Sequence, residues 1–207
     1  MSFVDLAGPA GRLEALYWKA EQPKAAAVVC HPHPLHGGTM HNHVTYRLAE
    51  AFRDAGCSAL RFNFRGVGRS SGSHDEGRGE VEDAAAALTH LEREHPGVPL
   101  VSAGFSFGGR VALELAAREA RVRSALAVGL PVSLYDFAFT ASLAVPLALV
   151  HGDRDEFGGL DAVRALAEAR RASTRLFVVE NCDHLATGRL EAFSAAAAEA
   201  VTWLLAQ

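Results

Sequence analysis

Apolar residues fall in short runs that alternate with longer stretches of helical spacing, with Gly and Pro at most junctions. LEALYWKA (Leu13 to Ala20) and AAAVVC (Ala25 to Cys30) read as a first strand pair separated by Pro23. VTYRLAEAFRDA (Val44 to Ala55) puts Val44, Leu48, Ala51 and Phe52 on one helical face, and Gly56 follows as a stop signal. Ser58 to Phe64 is the next strand. Glu80 to His95 is a second helix, closed by Pro96-Gly97. Strands are then predicted at Leu100 to Phe105, Ser124 to Val128, Pro146 to His151 and Arg175 to Val179. Helices over Gly108 to Glu119, Leu160 to Arg171 and Leu190 to Leu205 fall between and after them. Strands joined by single helices predict right-handed crossovers, and hence an α/β fold with a mainly parallel sheet of about seven strands flanked by helices. With no repeat or linker-like stretch along the 207 residues, one domain spanning 1–207 is expected.

Composition adds mostly exclusions. Net charge is −4 with both signs interspersed, so neither nucleic acid nor an anionic membrane surface is an expected partner. No run approaches the length of a membrane span, and the first ten residues lack the basic-then-apolar pattern of a secretory signal. Cys30, Cys57 and Cys182 are an odd number without C-x-x-C spacing and read as reduced thiols. A cytoplasmic monomer or homodimer is expected.

The chemistry is concentrated at Gly104-Phe105-Ser106-Phe107-Gly108, a G-x-S-x-G pattern between an apolar strand and a helical run. A tight turn there needs small residues two positions either side of the serine, and it lifts the hydroxyl above the sheet edge beside free helix N–H groups. A serine hydroxyl attacks only when a base takes its proton, and in this type of site a carboxylate and a histidine follow on later strand ends. The chain supplies His151-Gly152-Asp153-Arg154-Asp155 and then Asn181-Cys182-Asp183-His184 in that order. Asp155, deeper in its loop, is expected to reach the histidine, while Asp153 holds the turn. The expected triad is therefore Ser106, His184 as base and Asp155 as its orienting carboxylate. An oxyanion hole would take one N–H from Phe107 and one from the loop after an early strand. Pro32 and Pro34 have no N–H, so His33 is the expected second donor, with Leu35 in reserve.

The runs HPHPLHGGTM, LRFNFRGVGRSSG, GFSFGG and HGDRDEF resemble a family of small bacterial α/β-hydrolases that lack a cap domain. The resemblance covers the chain from about Ala25 onward. It implies the α/β-hydrolase fold without a lid, a serine-hydrolase triad at the same three residues, and no metal or organic cofactor. It carries no substrate. His41 and His43 stand where Asp and Lys are expected around Asn42.

Other features have plainer readings. His31, His33, His36, His41 and His43 lack the spacing and acidic partners of a zinc site and read as loop histidines. Arg61, Arg65 and Arg69 could form an anion pocket, but Arg65 pairing locally to hold the Gly66-Val67-Gly68 turn is preferred. Cys182 lies beside the histidine loop but not on an elbow. Phe105, Phe107, Phe137 and Phe139 are candidates for a shallow apolar cleft. The short segment between Val128 and Pro146 leaves no room for a lid domain, so an open site acting on a short-chain ester or thioester, a small-molecule acyl substrate, is expected. The competing reading is a non-catalytic binding protein of the same fold.

Overall fold

The computed structural model describes all 207 residues. Its eight strands are β1 (Ser2–Gly8), β2 (Gly11–Trp18), β3 (Ala26–Cys30), β4 (Ser58–Phe62), β5 (Leu100–Phe105), β6 (Val122–Val128), β7 (Leu147–Gly152) and β8 (Thr174–Val179). The helices are α1 (His43–Asp54), α2 (Arg78–Glu94), α3 (Phe107–Arg118), α4 (Leu160–Glu168) and α5 (Leu190–Leu205). The strands form one sheet in the order β1-β2-β4-β3-β5-β6-β7-β8. All pairings from β4 to β8 are parallel, while β1–β2 and β2–β4 are antiparallel.

The sheet separates two apolar cores, and the pleat explains how one strand feeds both. On β3, Ala26, Val28 and Cys30 point to one face while Ala27 and Val29 point to the other. The first core is closed by Leu88 and Leu91 of α2, Val111 and Leu115 of α3 and Val163 of α4. The second is closed by Leu48 and Phe52 of α1 and by Ala197, Ala200 and Val201 of α5. Buried on both sides, the central strands read as continuous apolar runs rather than alternating ones. Helix ends follow from local caps. Asn42 Oδ1 accepts the N–H groups of Val44 and Thr45 (3.0 and 3.2 Å) to start α1, and Glu80 Oε2 accepts Gly77 N–H (2.8 Å) to start α2.

Two expectations are corrected. The runs at Leu13 and Ala25 are both strands but do not pair with each other: β2 lies between β1 and β4, and β3 lies between β4 and β5. The sheet also has eight strands, because Ser2–Gly8 forms a hairpin with β2 in the register Leu6↔Leu13 and Gly8↔Gly11. Burial along this edge strand alternates, with Val4, Leu6 and Gly8 turned inward and Phe3, Asp5 and Ala7 outward, but apolar residues occupy both faces, so the sequence pattern does not announce a strand.

The strand order reverses between β3 and β5, since the chain leaves β3 to build β4 on one side and returns to build β5 on the other. Ligands of open parallel sheets bind in the crevice beyond the carboxyl ends of the strands at such a point. The loops after β3 and β5 meet there. They carry His33 and Ser106.

Under the same crevice lies a buried histidine with a consequence for stability. His31 is fully buried, Phe64 N–H donates to its Nε2 (3.1 Å), and its Nδ1–H donates to the Pro32 carbonyl (2.6 Å). Burial drives this imidazole down to about 4 from an ordinary 6.5. The unfolded chain therefore takes up a proton that the folded chain refuses, and stability falls as pH drops from about 6.5 toward 4. The loss attributable to His31 is about 3 kcal/mol, on 1.36 kcal/mol per pKa unit. Urea unfolding at pH 7.5 and 4.5, with the His31 ring followed by NMR, should show this decline and a ring still neutral at pH 5.5. A His31 midpoint near 6.5 would refute the account.

Candidate active site

Ser106 occupies the bend between β5 and α3 with φ 57° and ψ −122°. This is a left-handed conformation that an L-residue holds only when its surroundings impose it. The bend closes because Gly104 and Gly108 have no side chains. A Cβ on Gly104 would lie 2.1 Å from the Gly108 carbonyl oxygen, and one on Gly108 would lie 2.4 Å from the carbonyl oxygens of Cys30 and His31. Ser106 N–H donates to Val128 O (2.8 Å), which fixes the bend to β6.

The structure brings Ser106, His184 and Asp155 together. His184 Nε2 lies 2.8 Å from Ser106 Oγ, and His184 Nδ1 lies 2.8 Å from Asp155 Oδ2. The orientation of Asp155 is fixed because its Oδ1 accepts the N–H groups of Phe157 and Gly158 (2.9 and 3.1 Å), which turns Oδ2 toward the histidine. With the carboxylate facing Nδ1, the proton of a neutral imidazole resides there and Nε2 is left to accept from the serine hydroxyl. The Asp155 and His184 side chains are 1% and 6% exposed, so this chain of bonds is shielded from competing water. Phe105 lies tilted at 5.0 Å from the His184 ring, and Phe157 packs edge-on at 4.8 Å.

Asp153 sits elsewhere. Its Oδ1 accepts Cys182 N–H (3.2 Å) and its own N–H donates to Val179 O (3.1 Å), so it joins the loops after β7 and β8. Cys182 is buried, and burial pushes its thiol up to about 11, far from a reactive thiolate.

Phe107 opens α3, so its N–H has no acceptor within the helix. The His33 N–H likewise donates to no group of the protein. Leu35 is corrected as a reserve donor: its N–H is taken by His33 Nδ1 (3.2 Å). That bond starts the short turn Pro34–His36 and aims the His33 ring onto Phe107, with centroids 4.8 Å apart. Burial, and after it the neighbouring His74 and His36, hold the His33 imidazole below its usual pKa.

The remaining histidines go to different partners. His74 pairs with buried Glu80 (2.9 Å), His41 is exposed, and His43 Nε2–H donates to the carbonyl of Leu185 (2.7 Å). The three arginines likewise separate. Arg65, expected to pair locally at the Gly66-Val67-Gly68 turn, instead forms a bidentate pair with Asp83 of α2 (3.0 and 2.8 Å). Arg61 donates to Met40 O (2.7 Å), and the Arg69 N–H donates to Glu14 (2.9 Å).

A cleft of about 300 Å³ opens over Ser106, walled by Pro32, His33, Phe105, Phe107, Tyr135 and Phe157 among others. Phe137 and Phe139 are not in it; they stack on each other, and Phe137 belongs to the core. Sequence reasoning missed His151, whose Nε2–H donates to Gly158 O (2.5 Å) and steadies the loop that clamps Asp155. The only signal was its position at the head of H-G-D-R-D.

Known proteins resemble this chain in sequence and in fold. Residues 21–133 match the family described as "Serine aminopeptidase, S33", a stretch that contains Ser106 but ends before Asp155 and His184. An uncharacterized protein of Rickettsia prowazekii is 38% identical over 199 residues, covering 91% of this chain and 84% of that protein. An α/β serine hydrolase homologue from Coxiella burnetii superposes with a TM-score of 0.89 at 34% identity, over 96% of both chains. A serine hydrolase without a lid from Xanthomonas campestris gives a TM-score of 0.89 at 32% identity, over 98% of this chain and 94% of that one. With an eight-stranded, mostly parallel sheet and a serine at its elbow, the chain belongs to the S33 serine aminopeptidase family and has the α/β-hydrolase fold.

Proposed function

We propose that this chain is a serine hydrolase that cleaves a small, uncharged ester or thioester through an acyl-enzyme on Ser106. The reading rests on one observation, the unbroken run of hydrogen bonds Asp155–His184–Ser106. Ser106 Oγ attacks the acyl carbonyl while His184 Nε2 takes its proton, and Asp155 stabilises the resulting imidazolium. The N–H groups of Phe107 and His33 receive the negative charge that develops on the carbonyl oxygen. His184 returns the proton to the departing alcohol or thiol as the carbon–oxygen or carbon–sulfur bond breaks. Water, deprotonated by His184, then attacks the acyl carbon, the bond to Ser106 Oγ breaks as His184 returns the proton to Oγ, and the acid leaves.

The cleft favours this substrate class over a peptide with a free amino terminus. A carboxylate is the strongest partner for an ammonium group, and no Asp or Glu lines the cleft. The buried carboxylate behind His184, Asp155, is already committed to three hydrogen bonds.

A fluorophosphonate probe should label the folded protein at Ser106, as read by peptide mass spectrometry, and should leave Ser106→Ala unlabelled. Absence of labelling in the wild-type protein would overturn the assignment.

A further inference from the structure

Seven large apolar side chains are exposed, and three of them, Leu134 (59%), Phe157 (38%) and Leu185 (48%), stand in the wall of the one cleft above Ser106. They come from three separate loops, after β6, β7 and β8. Scattered exposed apolar residues are ordinary. Convergence of three on the mouth of a functional cleft is not, because each is kept in water at a cost that a bound ligand removes.

Their positions are also held in advance. The Phe157 carbonyl accepts both Ser133 N–H (3.1 Å) and Ser133 Oγ–H (2.5 Å), which ties the Phe157 loop to the residue next to Leu134. The Leu185 carbonyl accepts from His43 Nε2–H (2.7 Å), which ties the third loop to the start of α1. Such anchoring lowers the ordering cost of binding. It also gives His43 a place in the site as a positioning residue.

At about 300 Å³ the cleft lies at the small end of ligand sites. An acetyl group fits within it and gains nothing from apolar walls at the mouth. A longer acyl chain extends past the acetyl-sized space at Ser106 and lies against Leu134, Phe157 and Leu185 in the cleft wall. We propose that these three residues form an apolar collar that selects aliphatic acyl esters of medium length over acetyl esters. The inference rests on Ser106 being the nucleophile, and it sets aside the short-chain limit that an open, lidless site suggests.

The test compares kcat/KM for p-nitrophenyl acetate and p-nitrophenyl octanoate, both below micellar concentration, in the wild type and in Leu134→Ser/Leu185→Ser. Both leucines are exposed, so the double variant retains its core. Each methylene laid fully on apolar surface contributes about fourfold, and a collar that covers one side of a chain contributes less. The wild type should prefer octanoate, and the octanoate-to-acetate ratio should fall about tenfold in the variant. An unchanged ratio overturns the collar. Fluorophosphonate labelling of the same samples separates the two readings. A labelled Ser106 with an unchanged ratio removes the collar alone, whereas an unlabelled wild type removes both.

Discussion

Asp155→Asn is expected to lower kcat for ester hydrolysis by about four orders of magnitude with little change in the fold. An asparagine is nearly isosteric and can keep the bonds from Phe157 and Gly158 N–H to its carbonyl oxygen. Its NH2 group then faces His184 Nδ1 and must donate to it. The imidazole proton moves to Nε2, where it meets Ser106 Oγ as a donor rather than as a base. The imidazolium formed during attack would also lose its negative neighbour at 2.8 Å. Ser106→Ala should cost on the order of 10⁴-fold or more, and combining the two should cost little beyond the larger single loss, because the residues act as a unit. Asp153→Asn is the control. Its carboxylate holds Cys182 N–H and does not reach the histidine, so kcat should stay within about tenfold of wild type. Steady-state kinetics on one short ester would decide the matter. An Asp155→Asn enzyme with a tenth of wild-type kcat would eliminate Asp155 from the mechanism.

The second large effect concerns stability. Asp83→Ala should destabilise the protein by about 3–5 kcal/mol, the usual result of removing one partner of a buried ion pair. Asp83 is 0% exposed and Arg65 10%, and the carboxylate also accepts the Arg65 backbone N–H (2.9 Å). Its loss leaves a guanidinium charge and an amide without their acceptor in the interior. Replacing both members, as Arg65→Met/Asp83→Leu, should recover much of the loss, because no unpaired charge remains. Urea unfolding of the three proteins at pH 7.5 measures this. A loss below about 1 kcal/mol for Asp83→Ala would mean that water reaches Arg65 and that the pair is not a buried one.

Parts of the molecule were legible because their determinants are local. The spacing of Gly104 and Gly108 around Ser106 reflects a bend in which a Cβ would strike backbone two angstroms away. The apolar runs of β3 to β7 reflect burial on both faces, and Asn42 and Glu80 mark helix starts through bonds to nearby amides. The arginines of R-F-N-F-R were not readable, because Arg65, expected to pair locally, finds its carboxylate on α2 at Asp83.

Other parts were decided across the sheet. Neither Leu13 nor Ala25 reveals that β2 and β3 are kept apart by β4, because strand order depends on which faces the helices must cover. β1 alternates in burial but not in residue type, because an edge strand has little to bury and apolar Phe3 and Ala7 sit on its exposed face. Phe105 and Phe107 line the cleft while Phe137 and Phe139 do not, although all four have the same chemistry. Leu35 was excluded as an oxyanion donor only by the rotamer of a neighbouring histidine.

The sequence by itself determined the α/β class, the elbow with its serine, and the order in which a carboxylate and a histidine follow. Each of these is a property of residues near one another in the chain. Only the tertiary structure decided that His151 steadies the Asp155 loop, that His43 holds Leu185, and that three exposed apolar side chains share one cleft. Those outcomes depend on where the ends of different strands come together. A one-dimensional pattern carries no distance between loops brought together by a folded sheet.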